Sequence, residues 1–268
     1  MKRSLVMDNE TASRVAKNAS APDQANGWLS KLRAFLEDGA KDWNVSPATM
    51  KSICSLPFLI AFAGALTAIM GKSAYKWFTA EDGFSENLQV VLWTITFILG
   101  FAVMRRRWQN GEKLIAVLYG ILNVGIFFLI GEELSWGQRI FGWATSPEFA
   151  AINKQHETNI HNIHGVGDTF KWVHVLIGAY GTFLPLLITS KSLAVYQKRL
   201  AALVPHLTLL PFFALPLAWR LYVNLFEPPP RFTFVVAEYS EVIELILAFG
   251  FLLFIVYQLK HAKRTAGA

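Results

Sequence analysis

From Leu114 to Gly131 the chain carries no charge, and the run ends directly on two glutamates, Glu132 and Glu133. A stretch of that length fits a helix across the roughly 30 Å hydrocarbon core of a bilayer, where every backbone N–H and C=O must find its partner within the segment. Five further segments have the same character: 53–70, 88–104, 172–190, 203–226 and 233–258. Only 16% of the residues are charged, whereas a soluble domain carries about 25%. The chain therefore reads as all-α, a polytopic transmembrane bundle of six spans. Pro205, Pro211 and Pro216 predict a bent or broken fifth span.

The basic residues orient this arrangement. Eighteen of the 25 Lys and Arg fall in residues 1–52, in the loops after spans two and four, and after span six. These regions share one side of a six-span topology, so both termini are expected in the cytoplasm. Residues 1–26 read as a flexible cytoplasmic tail and 259–268 as a second one, flanking a juxtamembrane segment (27–52) and the membrane domain (53–258). In the juxtamembrane segment Trp28, Leu29, Leu32, Phe35 and Leu36 recur at helical spacing among Lys31, Arg33, Glu37 and Asp38. That pattern predicts an amphipathic interfacial helix, or a short helix packed on the protein's own loops. The net charge of +6 is not gathered into one groove, so no nucleic-acid partner is expected. The single cysteine, Cys54, excludes an internal disulfide and suits plain packing.

The opposite face collects the unusual polar residues. One motif runs Glu81-Asp82-Gly83-Phe84-Ser85-Glu86, before span two. A second runs from Gly131 to Arg139 (GEELSWGQR), and a third from Asn153 to His164 (NKQHETNIHNIH). Glu238, Glu241 and Glu244 open span six. Carboxylates near hydrocarbon are costly unless paired, hydrogen-bonded or bound to a cation. Adjacent Glu132 and Glu133 cannot share one helix face, so at least one points into the bundle. Glu133 is a candidate base or ligand, and pairing with Arg139 is the structural alternative. Glu241 and Glu244 suit cation or proton handling, or a pair with Arg220 or Arg231.

If 153–164 is helical, Glu157, His161 and His164 make one stripe able to grip a divalent metal, zinc or iron. The alternative is a hydrogen-bonded polar cap, in which Asn159 and Asn162 orient their neighbours. His174 and His206 suit buried hydrogen bonding, or a pigment or metal. Asp168 suits a helix cap.

EDGFSE, GEELSWGQRIFGW and NKQHETNIHN together resemble a group of bacterial multipass membrane proteins of unassigned activity, with the pattern EDG-x-x-E, GEE-x-SWGQR-x-x-G and N-x-Q-x-E-x-N-x-HN. The likeness spans Glu81 to about Asn162. It implies a bacterial cytoplasmic membrane and marks Glu81, Asp82, Glu86, Glu132, Glu133, Gln138, Arg139, Glu157, Asn159, His161 and Asn162. A more distant likeness to membrane-embedded metal hydrolases of lipid amides concerns architecture.

These readings converge on a metal-assisted hydrolase or transferase acting on a membrane lipid or lipid-linked substrate at the extracytoplasmic face. Glu132, Glu133 and Arg139 would be catalytic, and Glu157, His161 and His164 would bind metal. Two alternatives stay open: a non-catalytic subunit or assembly factor gripping a partner membrane protein, and a transporter of a small solute or lipid.

Overall fold

The computed structural model describes residues 27–80, 82–190 and 195–264. Glu81, the tail 1–26 and residues 265–268 of the second tail lie outside the described residues, as does the Asp168 side chain. The chain divides into two compact units, one up to Ile53 and one from Cys54 onward. In the first, helix α1 (27–43) leaves Trp28, Leu29, Leu32 and Phe35 exposed. Arg33–Glu37 (3.1 Å) and Lys41–Asp38 (2.9 Å) pairs span its turns. Helix α2 (Pro47–Met70) starts before the expected residue 53. The Ser46 hydroxyl accepts from the Thr49 N–H at 3.1 Å, and Pro47 fits the first turn, where its missing N–H costs nothing.

The second unit continues with α3 (Lys72–Thr79), α4 (Phe84–Gln109) and α5 (Lys113–Glu133). Short helices α6 (Gln138–Phe141) and α7 (Pro147–Ile152) lead to α8 (Val166–Ile188). After α9 (Gln197–Leu200) come α10 (Leu210–Leu225) and α11 (Thr233–Arg264). Among the described residues, six helical stretches are long and apolar enough to cross a membrane, as expected: α2, α3 with α4, α5, α8, α10 and α11. The fold is thus an all-α, six-span bundle. The proline-rich fifth span is not one helix from 203. Pro211 sits in the first turn of α10, and a 3-10 turn (Leu207–Leu209) precedes it. His206 initiates that turn, its Nδ1 lying 2.9 Å from the Thr208 hydroxyl.

Helix α11 lies at the centre, packed against α4 and α10. Helix α4 then packs on α5, and α10 on α8. The strong packing therefore runs in the order α5, α4, α11, α10, α8. Val242, Ile246 and Ile255 of α11 are fully buried, as are Phe212 and Phe213 of α10. Lipid is as apolar as leucine, so close backbone approach, not water exclusion, drives such contacts. Glycines provide it. A Cβ on Gly100 of α4 would fall 2.1 Å from Asn123 Oδ1, and one on Gly181 of α8 would fall 2.1 Å from the Phe213 ring. The outer faces of α2, α4, α5 and α8 are apolar and exposed, with Phe62, Ile98, Ile121 and Leu176 among them.

Charge separates the two ends of the bundle. At the basic end, Arg107 pairs with Glu112 (2.8 Å) and donates to Gln258 Oε1 (3.1 Å). Gln258 donates in turn to the Ala201 carbonyl, and Tyr119 to the Ala202 carbonyl. At the other end lie Asp82, Glu86, Glu132, Glu133, Glu241 and Glu244.

Gly181→Ala should lower thermal stability in detergent by about 1–3 kcal/mol, the usual cost of overpacking a filled core. Gly111→Ala, at an exposed turn where an added Cβ meets no atom within 4 Å, is the control for backbone effects, its φ of 79° adding turn strain alone. Equal midpoints for Gly181→Ala and the wild type would refute the close-packing account.

Candidate functional site

Helix α5 ends at Glu133, and the next residues turn sharply. Ser135 (φ 45°), Trp136 (φ 53°) and Gly137 (φ 98°) all lie in the left-handed region. Only glycine adopts that region freely, so the first two residues are strained. Their side chains show what holds them. Trp136 Nε1 donates to Glu132 at 2.6 Å, and the Ser135 hydroxyl donates to Glu157 at 2.7 Å.

The segment 153–164 is not a helix. It is a closed loop, with an isolated bridge joining Asn153 to Ile163. The Lys154 N–H donates to the Asn162 carbonyl, and His164 N–H to the Ile152 carbonyl. Asn153 organises the interior. Its Nδ2 donates to the Asn159 carbonyl and to Asn159 Oδ1 (2.8 and 2.9 Å), and its Oδ1 accepts from Gln155 N and Glu157 N. Asparagine side chains compete with helical backbone bonds in this way. The expected stripe of Glu157, His161 and His164 is therefore absent.

Glu132 ties this loop to α5. Its side chain is 3% exposed overall and accepts from the Ile160 N–H (2.7 Å), the His161 N–H (2.8 Å) and Trp136 Nε1. His161 Nδ1 lies 3.2 Å from the same carboxylate. Burial pulls the His161 imidazole down, but the Glu132 hydrogen bond and the Glu133 and Glu132 charges outweigh it and hold the pKa above the ordinary histidine range. Gln138 Oε1 accepts from Thr158 N (2.8 Å) and the Thr145 hydroxyl. Asn162 Nδ2 donates to Gln155.

Arg139 pairs with neither Glu132 nor Glu133 through their carboxylates. It bonds Glu86 at 2.7 Å and Asp82, and donates to the Glu133 main-chain carbonyl at 2.7 Å. The first and second motifs are thereby clamped together. On α11, Glu244 pairs with Arg220 of α10, as expected for one of Glu241 and Glu244. Among the described residues, the Glu241 carboxylate accepts only from the neutral Gln89 Nε2, at 3.0 Å. Arg231 pairs with neither.

Beneath the loop lies a cavity of about 520 Å³. Glu86, Gln89, Glu132, Glu133, Glu157, Asn159, His161, Asn162, His174, Arg220, Glu241 and Glu244 all border it, with Trp93, Phe128, Phe170 and Phe251 as apolar wall. Glu241 is eight residues into α11, which places it about 12 Å along that helix at 1.5 Å per residue. His174 Nδ1 is buried with no hydrogen-bond partner in the described structure. Lys154 and Lys171, from the loop and the start of α8, also border the cavity. The sequence singled out most of these residues but missed Gln89, Ser135 and Asn153. Gln89 could have been found as a polar residue three positions after Glu86 on a helical face.

The metal expectation is overturned. Among the described residues, no group of three or more His, Cys, Asp and Glu side chains could hold a metal ion. Glu157 is taken by Ser135 and Asn159, His161 by Glu132, and His164 is exposed at the loop's foot. Zinc or iron on Glu157, His161 and His164 is therefore corrected, and with it the metal-assisted hydrolase or transferase. Of the three residues expected to be catalytic, Glu132 and Arg139 are saturated by structural partners. Glu133 alone keeps a carboxylate without a hydrogen-bond donor among the described residues.

Glu132→Ala should destabilise the protein by about 3 kcal/mol or more, since it leaves three part-buried N–H donors, of Ile160, His161 and the Trp136 ring, without their acceptor, at about 1–3 kcal/mol for each that stays away from water. Because the folded His161 pKa lies above its unfolded value of about 6.5, its contribution is complete below that value and is lost as pH rises through the folded pKa. Unfolding midpoints in detergent should fall as pH rises above about 6.5 and through the raised folded pKa, and His161→Gln should flatten that fall. An unchanged slope in the variant would refute the linkage. No family model, curated protein or solved structure matches the chain.

Proposed function

We propose that the protein is a membrane-embedded carrier that binds a small organic cation, a protonated amine in chemical class, in the cavity beneath the 153–164 loop. One observation carries this reading: Glu133 and Glu241 border the cavity, and among the described residues no cationic side chain is bonded to either. Every other acid lining the cavity has a cationic partner or at least two hydrogen-bond donors, whereas among the described residues Glu241 has one neutral side-chain donor and Glu133 none. Glu86 has Arg139, Glu244 has Arg220, Glu132 has His161 and three N–H donors, and Glu157 has Ser135 and Asn159. Unbalanced negative charge inside a bundle asks for a proton or a cation, and the two can exchange. The aromatic wall of Trp93, Phe128, Phe170 and Phe251 suits the apolar body of an amine and adds cation–π attraction.

The setting is part of the proposal. The excess of Lys and Arg at one end supports both termini in the cytoplasm and the cavity mouth at the extracytoplasmic face. The likeness of the three motifs to bacterial multipass proteins supports a bacterial cytoplasmic membrane. The amphipathic α1 would lie on its inner surface. The 153–164 loop would act as gate at the mouth, and the proline-limited start of α10 is the place where the bundle could flex toward the other side.

Benzylamine, with benzyl alcohol as its neutral match, tests the site on purified protein by calorimetry. The amine should bind and the alcohol should not. Glu133→Gln and Glu241→Gln should each weaken amine binding about tenfold or more, given about 1.5–3 kcal/mol for a charge-assisted hydrogen bond. Equal binding of amine and alcohol, or unchanged affinity in both variants, would overturn the proposal.

A further inference from the structure

The cavity's lining reaches the outward, apolar surface of the bundle. One wall comes from α5 through Leu122, Gly125 and Leu129, and another from α8 through Phe170, Val173 and Ile177. These two helices stand at the ends of the packing row, and neither has the other as a main neighbour. Gly125 and Val173 border the cavity and are also exposed on the outside of the bundle. Both lie within spanning helices, flanked by the exposed apolar residues Val124, Phe127 and Leu176.

The glycines sharpen the contrast. At Gly100, Gly178, Gly181 and Gly250 an added Cβ would come within 3.0 Å of a neighbouring helix, so these glycines serve close packing. At Gly125 an added Cβ meets no atom within 4 Å. No neighbouring helix occupies that side of α5, and the space beside it runs from the cavity to the apolar surface.

From this seam we infer that the ligand is an amphiphile with a single cationic head and one hydrocarbon tail. The head sits between Glu133 and Glu241. The tail leaves between Gly125 and Val173 into the surrounding lipid. The inference rests on the proposed cation-binding cavity and adds the class of ligand and its route. A wholly polar amine would have no use for a gap opening on hydrocarbon, where each unsatisfied polar group costs several kcal/mol. A tail that stays in lipid gives up little, so selectivity lies in the head and access lies in the membrane.

The test uses the full chain in nanodiscs with two probes. One is benzylamine. The other is 4-dodecylbenzylamine carrying a diazirine at the end of the tail. Photolabelling by the long probe should map to the lipid-facing residues of α5 and α8, and benzylamine should compete it away. Gly125→Leu, at a position where the added Cβ meets no atom within 4 Å, should narrow the seam and lower affinity for the long probe at least about tenfold more than for benzylamine. Gly125→Ala, a smaller plug at the same point, should give an intermediate ratio. Labels on other helices, or equal losses for both probes in Gly125→Leu, would overturn the inference. If benzylamine binds but the long probe does not, this inference alone fails. If neither binds, the cation-binding reading fails with it.

Discussion

The acidic end of the bundle hangs on one carboxylate. Glu132 sits on the last turn of α5, where the helix leaves its final carbonyls without partners. It receives donors from the turn that follows and from a loop nearly thirty residues further on. A carboxylate holding several N–H groups is worth more in this setting than at a water-exposed surface, because the alternative for each donor is a dry, unpaired state. The strained turn at Ser135 and Trp136 is tolerated because the same network holds both side chains. Without it, nothing in the local sequence would fold 153–164 back over the helix ends, and the cavity would have no roof.

Around that point the ion pairs divide into two kinds. Arg220 with Glu244 joins two helices and leaves no net charge, whereas Arg139 between Asp82 and Glu86 joins two motifs and leaves one negative charge over. Pairs of this sort cost much to desolvate and contribute position more than stability. Their effect is to give Glu86 and Glu244 cationic partners, which Glu133 and Glu241 lack among the described residues.

The spans were legible because a bilayer permits few solutions. Uncharged runs of this length must be helices, so their number followed from composition alone. Their ends were less so. Helix α4 continues through Arg105–Arg107 to Gln109, since long basic side chains can keep their charged heads at the interface while the backbone stays helical. The polar motifs were legible as a group, because topology returns them to one end, but their internal geometry was not. Glu157, His161 and His164 have the spacing of a helical stripe, and that spacing is equally compatible with a loop. What decided between them was the pairing of Asn153 with Asn159, a contact that exists only once the loop has closed. Gln89 was hidden for a related reason, because its partner Glu241 lies some 150 residues away.

The position of α11 bears on how such a chain assembles. The most enclosed helix of the bundle is also the last of the six spans to be made. Helices enter a bilayer singly and then associate, and synthesis proceeds from the N-terminus. Until α11 arrives, Arg220 lacks Glu244, Gln89 lacks Glu241, and α4 and α10 have no common surface to dock on. The five earlier spans form two loose pairs, α4 with α5 and α8 with α10, besides α2. Biogenesis thus includes an interval in which a positive charge waits inside the membrane for its counter-ion, and the cavity comes into being only with the final insertion.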